Sequence, residues 1–229
     1  MDGLDFSAIG RSLGYLLGEG LRFSLTLTAM AAIGGAALGT LLALMQLSDN
    51  RIAAGVAGLY VNLVRAIPLL LVIFWFYFLV PYLGAWVIGS KEPIKVGAFW
   101  SSVITFTLFE AAYFAEIVRA GIRSVAPGQT QAGLALGLTQ RQVMAQVVLP
   151  QALRNMLPVL LSQVIVLFQD TSLVYVLSIT DFLGAATKVG QRDGRLVEMY
   201  LFVAAVYFLI CYLLSWQVRR LQARVAIIR

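Results

Sequence analysis

The chain contains no histidine and a single cysteine, Cys211. A disulfide framework is therefore excluded, and so is almost any metal site built on imidazole and thiolate. No cofactor is expected. Charge is scarce as well: 12% of residues are charged, against about 25% in an average soluble domain. No GxxxxGK[ST] run occurs, so ATP hydrolysis by this chain alone is not expected. A membrane-bound enzyme is disfavoured further by the lack of any nucleophile–base constellation. What fills the chain instead is apolar. Hydrophobic residues make up 60% of its 229 positions, and the mean hydropathy is +0.87. That is more apolar surface than one water-soluble core can hide, and too much for disorder. The class is an all-α integral membrane protein. The net charge of +6 then reads as an excess of Lys and Arg in cytoplasmic loops, not as a nucleic-acid footprint.

Long uncharged runs locate the spans. No charge occurs from Phe23 to Ser48, and from Ile52 to Ser90 the only one is Arg65. Five spans are predicted, at about 21–48, 57–83, 96–120, 151–179 and 199–219, forming one transmembrane domain over residues 1–229. Five spans put the termini on opposite sides. With the N-terminus outside, the inner segments hold nine basic residues (Arg51, Arg119, Arg123, Arg141, Arg154, Arg219, Arg220, Arg224 and Arg229) and the outer ones seven, with Arg65 left in the membrane. That bias favours an outer N-terminus and a cytoplasmic C-terminus. All acids outside the spans except Asp49 fall on the outer side under this choice, Asp2 among them. The first span is too long, and its leader too acidic, for a cleavable signal peptide.

Ahead of the first span, Leu4, Phe6, Ile9, Leu13 and Leu16 recur at helical spacing, which predicts a helix along the outer interface. Within the span, Ala31, Gly35, Gly39 and Ala43 form a stripe of small residues. Such a stripe lets another helix come close, either inside the chain or in a second subunit.

Between the third and fourth spans, at about 122–150, lies a segment too polar to cross a membrane and too patterned for a linker. Pro127 suits the first turn of a helix. Gly137 suits a helix stop. Thr139 and Gln142 form a T-x-x-Q capping box for a second short helix, whose apolar face is Val143, Met144, Val147 and Val148. Pro150 is expected to end it. Two short helices around a glycine corner make either a rigid knob able to receive force from a partner or an ordinary surface loop.

Residues 128–158, GQTQAGLALGLTQRQVMAQVVLPQALRNMLP, resemble the EAA-loop signature of permease subunits in ATP-binding-cassette (ABC) importers. Gln131, Ala132 and Gly133 stand at the E-A-A positions, Gly137 at the glycine, and Leu149–Pro150 at the closing pair. Two of the three E-A-A positions depart from the pattern, which removes a specific salt bridge from the first but keeps the helix–glycine–helix shape. RAIPLLL from Arg65, AAYFAEIVRAGI from Ala111 and QDTSL from Gln169 are similar to segments of the polar-amino-acid branch. FEAAY, LFQDTSLVYVLS and RDG followed by VEM extend the likeness over nearly the whole chain, towards the glutamate/aspartate importer permeases.

The resemblance implies a five-helix type I importer permease in the bacterial inner membrane. It also implies a second related permease (or a second copy), a dimer of ATP-binding subunits, and a periplasmic amino-acid-binding protein as partners, besides the membrane lipid. Alternating access would carry acidic amino acids. The alternatives are another polar amino acid (glutamine, histidine or arginine), or ion-coupled secondary transport. The short chain and the lack of an inverted repeat speak against the last.

Charge inside the membrane is costly, roughly 2.5–3.5 kcal/mol at a helix centre on insertion scales, so each buried ion asks for a partner or a wet cavity. Glu116 can reach Arg119 three residues on, a structural ion pair. Glu110 has no basic residue one turn away. It either faces the translocation path or pairs with another helix or subunit. Arg65 either snorkels to the headgroups, neutralises an acid, or meets a substrate carboxylate. Asp170, Thr171 and Ser172 are polar deep in the fourth span and read as part of a gate or path.

Overall fold

The computed structural model describes residues 5–225. Asp2, Leu4 and Arg229, used above, lie outside them. The described residues contain helices and no strand. Five helical stretches are long and apolar enough to cross a membrane: Ser7–Gln46, Leu69–Val87, Ala98–Arg123, Gln140–Leu177 and Leu196–Arg224.

The first runs as α1 (Ser7–Tyr15), a π turn (Leu16–Leu21) and α2 (Arg22–Gln46). Its N-terminal part is less exposed than an interfacial helix would be. Ala8 and Leu16 are buried against α10 (Phe182–Asp193), while Phe6 and Leu13 stay exposed. Ionic contacts reinforce that seam: Arg11 lies 3.8 Å from Asp193, and Arg192 donates to Ser12 Oγ at 3.1 Å. The hydrogen bond from Arg192 holds the Asp193 carboxyl below the usual carboxylate range.

The second predicted span is interrupted. α3 (Arg51–Arg65) is capped by Asn50, whose Oδ1 accepts from the Ile52 and Ala53 amides. It stops before Pro68, and α4 (Leu69–Phe74) begins after it, continuing through a π turn (Trp75–Leu79) into α5 (Val80–Val87). The single span expected over 57–83 is thus replaced by two helical stretches with a three-residue break. Proline supplies no amide hydrogen and pushes the residue before it out of the helical region, so Ile67 cannot continue α3.

α6 (Ala98–Arg123) is the centre of the bundle. The small-residue stripe of α2 is buried against it. A Cβ on Gly39 would stand 2.7 Å from the Ala111 carbonyl oxygen and 2.9 Å from the Ala115 amide nitrogen, so this crossing is open only to glycine. The stripe therefore serves packing within the chain. Phe106, Ala111, Ala112 and Phe114 are fully buried around it.

α7 (Pro127–Ala135) and α8 (Gln140–Val143) follow, and then a π turn (Met144–Val148) leads into α9 (Leu149–Asp170). Pro150 does not end the second short helix, contrary to the expectation from sequence. The wider π turn ahead of it relieves the clash between the proline ring and the preceding turn, and the helix runs on into the membrane. A 3-10 turn (Thr171–Leu177), α10 and α11 (Leu196–Val225) complete the chain.

Candidate functional site

Arg65, Glu110 and Asp170 are far apart in sequence, and the fold brings them to one cleft of about 380 Å³. Arg65 ends α3 at the helix break, Glu110 sits midway along α6, and Asp170 closes α9. Pro68, Tyr113 and Gln163 also line the cleft. Such a volume falls in the range that holds small ligands, about 300–1,000 Å³.

Glu110, Arg65 and Glu116 each have an identifiable local partner. Glu110 is fully buried and accepts from Gln163 Nε2 at 3.1 and 3.4 Å. The partner of Glu110 is therefore an amide on another helix, while the carboxyl still borders the cleft. Of the three roles considered from sequence, Arg65 takes that of facing an acid. Its guanidinium lies 3.8 Å from Glu116 and 5.6 Å from the Tyr113 ring centroid, and it also borders the cleft. Glu116 is bonded to Arg119 through both carboxylate oxygens, with Arg119 Nε at 3.0 Å from Oε2. It is thus held between two arginines, one of which reaches into the cleft.

Thr171 and Ser172 are placed differently from Asp170. Thr171 is fully buried and donates to the Phe168 carbonyl at 2.7 Å, so its hydroxyl is used inside its own turn. Ser172 is half-buried and does not border the cleft. Gln163 is the cleft residue that sequence reading missed. Its signal was a lone amide in the otherwise apolar run from Val164 to Phe168 and back to Leu160, broken only by Ser162.

The knob has the shape expected of it. α7 begins with Pro127 and ends in a Schellman turn: the Leu138 amide donates to Gly133 O at 3.2 Å and the Gly137 amide to Leu134 O at 2.9 Å. Gly137 has φ +82°, a conformation strained for any residue with a Cβ. The capping box is present, with the Thr139 amide donating to Gln142 Oε1 at 2.9 Å. At the third E-A-A position, a Cβ on Gly133 would come within 2.8 Å of Val143 Cγ2. Glycine there lets α7 lie directly on α8. Gln131 and Ala132 are exposed, as is Pro150, while Leu149 is half-buried. Leu136, 83% exposed at the corner, is an apolar side chain with no cover from the chain itself.

Comparison with known proteins agrees with this architecture. Residues 24–227 match the family described as "Binding-protein-dependent transport system inner membrane component". The chain is 49% identical over 224 residues to the glutamate/aspartate import permease protein GltK of Escherichia coli O6:H1, covering 97% of this chain and 98% of that one. It is 31% identical over 224 residues to the glutamine transport system permease protein GlnP of Escherichia coli K12, covering 98% and 99%. A crystal structure of an amino acid ABC transporter with histidines superposes with a TM-score of 0.88 at 31% identity, covering 97% and 99%. The chain belongs to the family of binding-protein-dependent transport system inner membrane components and is a permease subunit of an amino-acid ABC importer.

Proposed function

We propose that this permease carries acidic amino acids, glutamate and aspartate, inward across the bacterial inner membrane by alternating access. The observation that carries the reading is Arg65 in the cleft, taken with the 49% identity to a glutamate/aspartate permease. In this reading Arg65 anchors a carboxylate of the passing substrate, and Glu110 and Asp170 face its ammonium group. The N-terminus is outside and the C-terminus inside. ATP is hydrolysed by a dimer of separate subunits seated on the knob, a second permease completes the path, and a periplasmic binding protein delivers the cargo.

The charge balance divides the work of selection. One cation and two acids border the cleft, a poor host for a substrate of net charge −1. At 4 Å and an effective dielectric near 20, each unpaired like-charge contact costs about 4 kcal/mol. Tight selection of an acidic side chain therefore falls to the binding protein, and any further positive charge to the partner permease. The same two acids favour a second reading, in which the cargo is a neutral or cationic polar amino acid such as glutamine, histidine or arginine. Uptake by the reconstituted importer separates the two. Labelled glutamate is expected to enter in an ATP-dependent manner and to be displaced by aspartate. Displacement by arginine or histidine, without displacement by aspartate, would establish the second reading.

The knob is tested at its corner. In Gly137→Val a β-branched residue must adopt φ +82°, which costs at least about 1–2 kcal/mol and removes the geometry of the turn. The protein is expected to insert at normal abundance while ATP-driven uptake falls about tenfold or more, on the premise that losing about 1.4 kcal/mol of coupling is one decade. Normal uptake by this variant would refute a coupling role for the knob.

A further inference from the structure

We propose that the C-terminal end of α11, with the groove it shares with α9, holds one anionic phospholipid. Trp216, Arg220 and Arg224 follow one another at four-residue spacing, which places them on one stripe of the helix. The Arg220 guanidinium lies 3.5 Å above the Trp216 ring centroid, and Arg219 lies 6.0 Å from the Tyr212 centroid. Two cations stacked on two exposed aromatic rings mark the level at which a membrane headgroup meets the protein.

Among the described residues these cations have no carboxylate partner. No Asp or Glu occurs between Glu116 and Asp170, or after Glu198. Both helices that frame the site, α9 up to Gln169 and the membrane part of α11, are therefore free of acids. None of the ion pairs among the described residues includes Arg219, Arg220 or Arg224. Among the described residues no negative charge compensates these arginines.

An apolar groove adjoins this basic end. A cleft of about 190 Å³ is lined by Trp216, Gln217, Arg220, Leu221 and Arg224. A second cleft of about 320 Å³ runs between α9 and α11, bordered by Leu161, Val164, Ile165 and Leu214. Gln217 and Leu221 belong to both. A phosphate between Arg220 and Arg224 would thus continue directly into a channel suited to an acyl chain. An anionic lipid has both halves of that chemistry. A free phosphate would leave the groove bare, and a zwitterionic lipid would leave the arginines uncompensated.

The test is native mass spectrometry of the full importer, released from nanodiscs of phosphatidylglycerol and phosphatidylcholine in equal parts. Both leaflets then carry the same lipids, so the result does not depend on the orientation or cargo proposed above. Phosphatidylglycerol is expected to be retained in preference. R220Q/R224Q is expected to lower that retention about 25-fold, roughly fivefold for each arginine near an anionic group. R123Q, at the end of α6 where the Glu116 carboxylate is within electrostatic reach of the arginine, is expected to change nothing. A benzophenone amino acid at Gln217 is expected to cross-link to lipid. Equal retention of the two lipids, an equal loss in R123Q, or cross-linking to a second permease or the ATP-binding subunit instead of lipid would each overturn the proposal.

Discussion

Gly39→Leu is expected to remove most of the folded chain from the membrane. The α2–α6 crossing depends on contact between backbones, and a Cβ at this position meets a carbonyl oxygen and an amide nitrogen below 3 Å. Backbone atoms cannot rotate away as a flexible side chain can. The helices must part, and the fully buried Ala111, Phe114 and Ala115 lose their packing with them. Overpacking of a tight core costs about 1–3 kcal/mol when side chains alone must yield, and here the backbone must yield too. For a chain of this size, 3 kcal/mol corresponds to a fall of about 10 °C in melting temperature. Thermal stability of the purified protein, together with its abundance in membranes, checks the prediction. Gly58→Ala is the matched control, because a Cβ there meets nothing within 4 Å, and alanine favours the helix by about 1 kcal/mol over glycine. If Gly39→Leu were as stable as Gly58→Ala, the close crossing would not hold the bundle together.

Arg65→Gln is expected to lower ATP-driven uptake about thirtyfold or more with the chain at normal abundance. Glutamine keeps part of the length and the hydrogen-bonding capacity but loses the charge. In the proposed function the partner of Arg65 is a substrate carboxylate enclosed with it in the path; losing one member of such a pair costs about 2 kcal/mol or more, a factor of about 30. The fold should survive the change, because Glu116 keeps Arg119 through two contacts. Arg65 reaches Glu116 only at 3.8 Å, a longer and weaker approach. Arg65→Lys is expected to recover part of the loss. It restores the cation without the planar fork that matches a carboxylate. Uptake at the normal rate in Arg65→Gln would remove this residue from the substrate path. A drop in abundance instead would assign it to holding the helix end.

The parts of the fold that follow from one element's own chemistry were readable in the sequence. Uncharged runs located the membrane helices, and Pro127, Gly137, Thr139 and Gln142 described the knob because each acts through its own backbone or its near neighbours. Glu116 and Arg119 were paired correctly because three residues along a helix is a fixed distance. The remaining features depend on geometry that no short window contains. Whether Ala31, Gly35, Gly39 and Ala43 faced inward or toward another subunit could not be decided until α6 was in place. Gln163 joins the cleft through a partner 53 positions away. Thr171 and Ser172 looked equivalent to Asp170 in sequence, yet the change from α-helix to a tighter turn at Thr171 sends them elsewhere. The π turns left no trace in composition, and the one at Met144–Val148 decided the fate of Pro150.

That continuity has a mechanical consequence. From Gln140 to Asp170 the chain is one helical rod with no loop to absorb a push. At 1.5 Å per residue it is about 45 Å long, and it joins the exposed knob at one end to the cleft at the other. Its softest point is Pro158, where the carbonyl of Arg154 has no amide to accept from. Asp170 lies 12 residues beyond, about 18 Å, so a swing of about 15° around that fulcrum carries its carboxyl by about 5 Å. The arm on the knob side is half as long again, about 27 Å from Gln140. Where the rod turns as one piece, a displacement applied at the knob is therefore delivered to the cleft at about two-thirds of its amplitude, with Asp170, which borders the cleft, at the moving tip.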